Sequence, residues 1–467
     1  MLPIPGYFAF PGAKPPESGS MYALSFRGDD SLALRPEMSL RWNILNVLYI
    51  AALGAGCVWQ PPVDGVPIPS DAVVNRAALF GKPQAPFSEP ENDTFHAQPS
   101  AAELAATPPG TVLRYRPIDA EAYYFFDVNA RAWQVAYRTA DGDGKPQVNV
   151  ATILVPDAPQ PRLLSYQVAY DALTRRCAPS YTMLSGSMVE HLLMNKALRR
   201  GWIVVLPDYE GPEAQFLAGR NSGRGVLDGI RAAKTLLPDT LLGADTPVAL
   251  WGYSGGAFAS LWAAEIAADY APEIPIAAVA AGGPPADLRS SAEHVDGGLF
   301  AGLYFAAVVG LARAYDSIDT DRLLNDKGRK MFADVSESCV GQELAWVKDP
   351  VLSGYAFDDM QDYVTVDNLL DVDAVRQVIA ENRLGQRGFD APMLYYQAFF
   401  DQVSPRDDAK ALARRYCEAG VDVDFRYAIG EHISAAVSQA SAAVAYLDAR
   451  FDGEDAPGDC DELLSDE

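Results

Sequence analysis

Gly252-Tyr253-Ser254-Gly255-Gly256 lies between an apolar run, Pro247 to Trp251, and an Ala-rich helical segment that begins at Ala257. A serine between glycines at a strand-to-helix junction fits a nucleophile elbow. The turn is so sharp that side chains at the flanking positions would collide with the strand and helix on either side. Ser254 is thus the candidate nucleophile, presented for attack on an acyl carbon.

The neighbouring sequence supplies the frame such an elbow needs. Gly201 to Pro207 is a short β-branched apolar run, the pattern of a strand buried on both faces. Between it and the elbow, Val226, Ile230, Ala233 and Leu237 recur on one helical face. Strand, helix, strand and elbow make a βαβ unit, in which catalytic groups gather at the carboxyl ends of parallel strands.

A serine hydroxyl near neutral pH needs a general base beside it. The chain has four histidines. In the chain order that goes with this elbow, the acid and then the histidine follow the serine, which leaves His294 and His432 and sets aside His96 and His191 as structural or surface residues. His432 follows an alternating run, Val421 to Tyr427, and precedes a helical pattern from Ala435 to Phe451, as expected of a loop after the last strand. His294 lies among Asp, Ser and Gly residues and reads as a solvated loop histidine. The orienting acid is assigned to Asp401, which closes the run Met393 to Phe400 just before Pro405 breaks the extended segment. Asp287, Asp390, Asp407 and Asp408 are its competitors.

Four stretches together resemble the secretory lipase family of the α/β-hydrolase superfamily. They are the segment Arg131 to Thr139, the segment Ser165 to Asp171 running into Cys177-Ala178-Pro179-Ser180-Tyr181, Phe-Asp-Gln-Val-Ser-Pro around Asp401, and Gly-Glu-His-Ile-Ser around His432. The likeness spans roughly Asn92 to Phe451. It implies an α/β-hydrolase fold with a mostly parallel central sheet and an inserted helical cap (lid) domain. It also implies hydrolysis of carboxylic esters, triacylglycerols foremost, through an acyl-enzyme. A short-chain carboxylesterase or an acyltransferase on the same triad is the alternative activity, and a non-catalytic lipid-binding scaffold is the rival from another class.

An oxyanion needs two donors. One is the backbone N–H of Gly255, directly after the nucleophile. The resemblance assigns the other to the backbone N–H of Asp171, which on sequence alone reads as a turn or helix cap. More than a hundred residues separate the run Ile276 to Ala281 from Asp401, too many for a bare strand-to-helix connection. The apolar stretch Gly297 to Ala314 and helical patterns around Met331 to Trp346 and Val372 to Arg383 fill that span as a cap, whose apolar wall suits a fatty acyl chain. The domain plan is then a leader and export signal over 1–57, a core in two parts at 58–284 and 386–452, a cap at 285–385 and an acidic tail at 453–467, expected to be loose apart from Cys460.

The cysteines are five: Cys57, Cys177, Cys339, Cys417 and Cys460. Cys57 closes an apolar segment like an export signal, which leaves four that can pair in three ways. The resemblance implies Cys177 with Cys339 and Cys417 with Cys460. Lipid anchoring through Cys57 is a minor alternative, because Gly-Ala-Gly-Cys is a poor lipobox. An exported monomer, extracellular or periplasmic, in transient contact with a lipid interface is expected. The formal net charge of −25 argues against a nucleic-acid partner. With few, scattered histidines and no C-x-x-C or phosphate-binding glycine motif, neither metal nor cofactor is expected. The family's flap near the C-terminus has no counterpart here, since no strand-like run follows Phe451.

Overall fold

A computed structural model of the chain describes residues 88–122, 126–171, 173–340, 349, 351–456 and 458–465. The leader, the export signal with Cys57 and residues 58–87 lie outside the described residues.

Nine strands form the main sheet: β1 (Val112–Ile118), β2 (Arg131–Ala140), β3 (Pro146–Val155), β4 (Leu163–Gln167), β5 (Ile203–Pro207), β6 (Val248–Tyr253), β7 (Ile276–Gly282), β8 (Met393–Ala398) and β9 (Val423–Ala428). Their order in space is β1-β2-β3-β5-β4-β6-β7-β8-β9. The first four neighbours pair antiparallel, and from β5 to β9 all pairing is parallel. β2 and β3 are joined by a tight turn in which the Asp141 carboxylate accepts from the Asp143 and Lys145 amides. Such an Asx-type turn lets two long strands fold back on each other. β4, β5 and β6 are buried along their whole length, as strands covered by helices on both faces must be.

Helices cover that sheet. α1 (His191–Leu198) follows β4, α2 (Gly219–Leu236) follows β5 and α3 (Gly255–Tyr270) follows β6. α2 carries glycine where α3 comes closest: a Cβ on Gly219 would stand 2.1 Å from the Trp262 ring, and one on Gly223 would stand 2.9 Å from the Trp262 carbonyl oxygen. The pair therefore packs at a separation that side chains would forbid. After β7 the chain leaves the sheet for α4 (Leu288–Val295), α5 (Gly302–Ala314), α6 (Asp326–Ser336) and α7 (Asp373–Glu381) before returning through β8. α8 (Arg406–Glu418), β9, α9 (His432–Phe451) and α10 (Cys460–Ser465) complete the chain. No helix among the described residues is long and apolar enough to cross a membrane.

The inserted helices are fastened to the core by several kinds of bond. Cys177 and Cys339 form a disulfide. The Arg313 guanidinium on α5 donates to the Leu173 and Glu213 carbonyls of the core and to the Ser336 carbonyl at the end of α6. Asn382, just past α7, accepts from the Gly219 amide at the start of α2 at 2.7 Å and donates to Tyr315 at 2.8 Å.

The C-terminal tail departs from the expectation of a loose acidic segment. The Asp459 amide donates to the Val423 carbonyl at 2.6 Å and its carboxylate accepts from the Phe425 amide at 3.0 Å, so the tail docks along β9. Cys460 is bonded to Cys417 on α8 and Leu463 is buried. Two adjacent leucines among acids, of which only Leu463 is buried, make too weak a pattern to show this helix.

Cys177 and Cys339 are 162 residues apart, so their bond closes a long loop in the unfolded chain. Replacing both by serine is expected to lower the unfolding free energy by about 2–4 kcal/mol, measured as a shift of the urea midpoint at unchanged slope.

Candidate active site

Four loops at the carboxyl ends of β4, β6, β8 and β9 meet over the sheet. β4 and β6 are direct neighbours with Gln167 opposite Gly252, and β8 and β9 are neighbours with Ala398 opposite Ala428. β4 pairs with β5 on one side and β6 on the other, so the strand order reverses there, and a crevice opens above such a point in an open α/β sheet.

Ser254 joins β6 to α3 with φ 52° and ψ −121°, a backbone region that a residue with a side chain enters only when the surroundings force it. Gly252 and Gly256 explain how. A Cβ on Gly252 would lie 2.3 Å from the Gly256 carbonyl carbon, and one on Gly256 would lie 2.0 Å from the Gln167 carbonyl oxygen. The Ser254 amide donates to the Gly282 carbonyl at 2.8 Å, which fixes the corner to β7.

The three residues expected to work together are in contact. Ser254 Oγ lies 2.9 Å from His432 Nε2, and His432 Nδ1 lies 2.9 and 2.8 Å from the two Asp401 carboxylate oxygens. The Asp401 side chain is wholly buried. Its oxygens also accept from the Val403 and Ser404 amides at 2.9 and 2.8 Å and from Gln397 Nε2 at 2.8 Å. An acid held by so many donors keeps its direction toward the imidazole. The competing aspartates have other work: Asp287 caps α4, accepting from the Arg289 and Ser290 amides, and Asp407 and Asp408 lie in the first turn of α8.

The remaining histidines are placed as follows. His294 lies on α4 rather than in a loop, with Nε2 3.3 Å from the Asp401 carbonyl oxygen. The run of Asp, Ser and Gly around it hid the helix that Asp287 caps. His96 and His191 are buried, and burial lowers each pKa to about 4, so both are neutral near pH 7.

Several supporting residues escaped the sequence reading. Tyr253, the residue before the serine in the elbow, donates its hydroxyl to the His432 carbonyl at 2.6 Å, and its ring lies against the imidazole. Gln402 accepts from the His432 amide at 3.0 Å. Glu431 caps α9, its carboxylate accepting from the Ile433 and Ser434 amides. Gln397 carried a visible signal, since it is the single polar residue in the run Met393 to Phe400.

Asp171 follows β4 with φ 39°. It faces the elbow: a Cβ on Gly255 would stand 2.2 Å from Asp171 Oδ1. The Gly255 amide is at the first position of α3, where no intrahelical acceptor exists. Asp171, past the end of β4, and Gly255, at the start of α3, are thus neighbours beside the serine corner. Oδ1 of Asp171 is buried without a hydrogen-bond partner. Burial raises its pKa to about 7, against the opposing pull of His432.

A pocket of about 880 Å³, open mouth included, runs from Ser254, Gly255 and Asp171 into the inserted helices. Its wall is apolar: Leu288, Ala292 and Val295 from α4, Leu303, Ala307, Val308 and Leu311 from α5, Val375 and Ile379 from α7, and Phe216 and Leu217 from the core.

A family model described as secretory lipase matches residues 178–459. Lipase A of Arthroderma benhamiae is 34% identical over 385 residues, covering 78% of this chain and 80% of that protein. The chain belongs to the secretory lipase family. A Mycobacterium tuberculosis relative named as a probable inactive lipase is also 34% identical, over 380 residues covering 78% of this chain and 83% of its own. The crystal structure of Candida antarctica lipase A superposes with a TM-score of 0.73 at 29% identity, covering 80% of this chain and 89% of that one. As a secretory lipase of the α/β-hydrolase fold, the protein is a carboxylic ester hydrolase, acting on ester or lipid substrates. Family and disulfides together mark it as exported, since such bonds persist in oxidising compartments.

The Asp171 carboxyl ionises as pH rises through about 7, which sets a negative charge beside Gly255 and the serine corner. Asp171→Asn keeps the backbone amide and tolerates the positive φ. Its turnover relative to the parent is expected to rise between pH 6 and pH 8.5, measured on a soluble p-nitrophenyl ester.

Proposed function

We propose that Ser254, His432 and Asp401 form the catalytic triad of a lipase that cleaves long-chain acyl esters, triacylglycerols foremost, through an acyl-enzyme. The observation that carries this reading is the unbroken chain of contacts from Ser254 Oγ through the imidazole to a buried, fourfold-held carboxylate, opening on an apolar pocket.

The chemistry follows from that geometry. His432 Nε2 takes the Ser254 proton as Oγ attacks the ester carbon, and Asp401 stabilises the imidazolium that results. Negative charge moves onto the former carbonyl oxygen, where the Gly255 and Asp171 amides meet it. Collapse of the tetrahedral intermediate expels the alcohol, which receives its proton from His432. Water, giving its proton to the same nitrogen, then attacks the acyl-enzyme and releases the acid. The Asp401 side chain never needs to give up its own charge in this cycle.

The inserted helices, residues 285–385 in the domain plan above, act as an acyl-binding cap. Each methylene buried against their apolar wall contributes about 0.8 kcal/mol. We place the enzyme outside the cytoplasm, extracellular or periplasmic, as a monomer that works at a lipid interface. Supporting that last point, Phe399, Phe400, Tyr427, Ile429, Ile433 and Val437 are all exposed on the loops and helix start that carry Asp401 and His432. The Phe399 and Phe400 amides bond to the Ala428 and Gly430 carbonyls, so the two loops present these side chains side by side. An apolar group of this kind beside a site commonly meets a partner surface or lipid.

Across p-nitrophenyl esters of two to sixteen carbons, kcat/KM is expected to climb by up to about fourfold per added methylene until the pocket is filled. Ser254→Ala is expected to lose at least about 10⁴-fold in kcat at every length. A flat profile would point to a short-chain carboxylesterase. Ala307→Trp narrows the pocket, and its optimum is expected to move to shorter chains with acetate hydrolysis retained. The double variant Phe400→Ser, Ile429→Ser is expected to lose more activity on emulsified triolein than on dissolved p-nitrophenyl butyrate.

A further inference from the structure

Glu190 immediately precedes α1, at the position from which an acid commonly caps a helix, yet its side chain makes no bond to the α1 amides. It reaches back instead to the segment that ends β4. Oε1 accepts from the Ala169 amide at 2.9 Å, and Oε2 accepts from the buried Tyr166 hydroxyl at 2.6 Å. Ala169 is two residues before Asp171.

That segment is held at other atoms as well. The Val168 carbonyl accepts from the Tyr209 hydroxyl at 2.7 Å, and the Tyr170 hydroxyl accepts from the Glu210 amide at 2.7 Å. These bonds fix the peptide carbonyl and one ring. Glu190 takes up the Ala169 amide, and the carboxylate is itself steadied by a tyrosine rooted in β4. A carboxylate kept in a half-buried place with no cation among its hydrogen-bond partners, and turned away from its own helix, is costly unless its direction matters.

We propose that Glu190 is a positioning residue for the oxyanion site: it holds the backbone at Ala169 so that the Asp171 amide points at the developing oxyanion together with the Gly255 amide. The proposal rests on the reading of Asp171 as the second oxyanion donor. Glu190 touches neither substrate nor nucleophile, and its effect is exerted through two peptide units.

The test compares Glu190→Asp, Glu190→Gln and Glu190→Ala on soluble p-nitrophenyl butyrate, with active sites counted by a fluorophosphonate titrant. Asp keeps the charge but draws the carboxylate back by one methylene, away from the Ala169 amide. Gln keeps an oxygen that can accept from that amide. Asp and Ala are expected to lower kcat by about 10- to 100-fold, somewhat less than outright loss of a donor, with KM within about twofold. Gln is expected to stay within about threefold of the parent. Butylboronic acid, whose tetrahedral adduct on the serine puts a charged oxygen in the same site, is expected to weaken by the same factor as kcat in each variant. Parental kcat and boronate affinity in folded Glu190→Asp would overturn the proposal. So would a loss of kcat in Asp and Gln alike with boronate affinity unchanged, which is the mark of a structural role. Should Glu190→Ala fail to fold, the Asp and Gln pair decides. Absence of Ser254-dependent activity in the parent would instead count against the triad reading itself.

Discussion

The close approach of β6, α3 and the end of β4 is the constraint on which the site depends. Gly252 and Gly256 remove the Cβ atoms that would keep these three segments apart, and Ser254 is left in a strained conformation between them. Strain of this size, on the order of 1–3 kcal/mol, persists only because the strands on either side are buried along their length and cannot yield. The same contact sets Gly255 against Asp171, so the geometry that presents the candidate nucleophile also brings the two candidate oxyanion donors together.

Rigidity of this kind is distributed. Asp401 is held through four groups from three stretches of chain, and the imidazole is held through its Nδ1, its own peptide N–H and its own carbonyl. An imidazole fixed at so many points would, as the proposed base, lose little freedom on forming the transition state. The inserted helices follow another logic. Their bonds to the core, a disulfide, the Arg313 guanidinium and the Asn382 amide, lie at the ends of helices, while the helix flanks are left to shape the apolar pocket.

Much of this was legible in the sequence because the site residues sit at the ends of strongly apolar runs. Ser254 and Asp401 each follow such a run, His432 follows an alternating one, and chain order left few histidines to choose from. The sheet was legible for the same reason. What stayed hidden depends on partners distant in sequence. Glu190 has ordinary neighbours, and its meaning lies in what it touches across the fold. Asp171 needed the family resemblance, since an aspartate after a strand is by itself only a turn former. The helix bearing His294 was missed because its cap, Asp287, was weighed as an acid catalyst, and α10 was missed because one buried leucine among acids makes no visible period.

The docking of the tail on β9 bears on when the protein becomes safe to release. β9 is the last strand of a nine-stranded sheet, and the unpaired amides and carbonyls of a bare edge invite another chain to add itself. Here Asp459 occupies that edge, and the neighbouring Cys460 is tethered to α8 by a covalent bond that a reducing cytosol would not keep. The disulfide therefore holds this guard on the edge, and its persistence requires the oxidising compartment to which the family is exported.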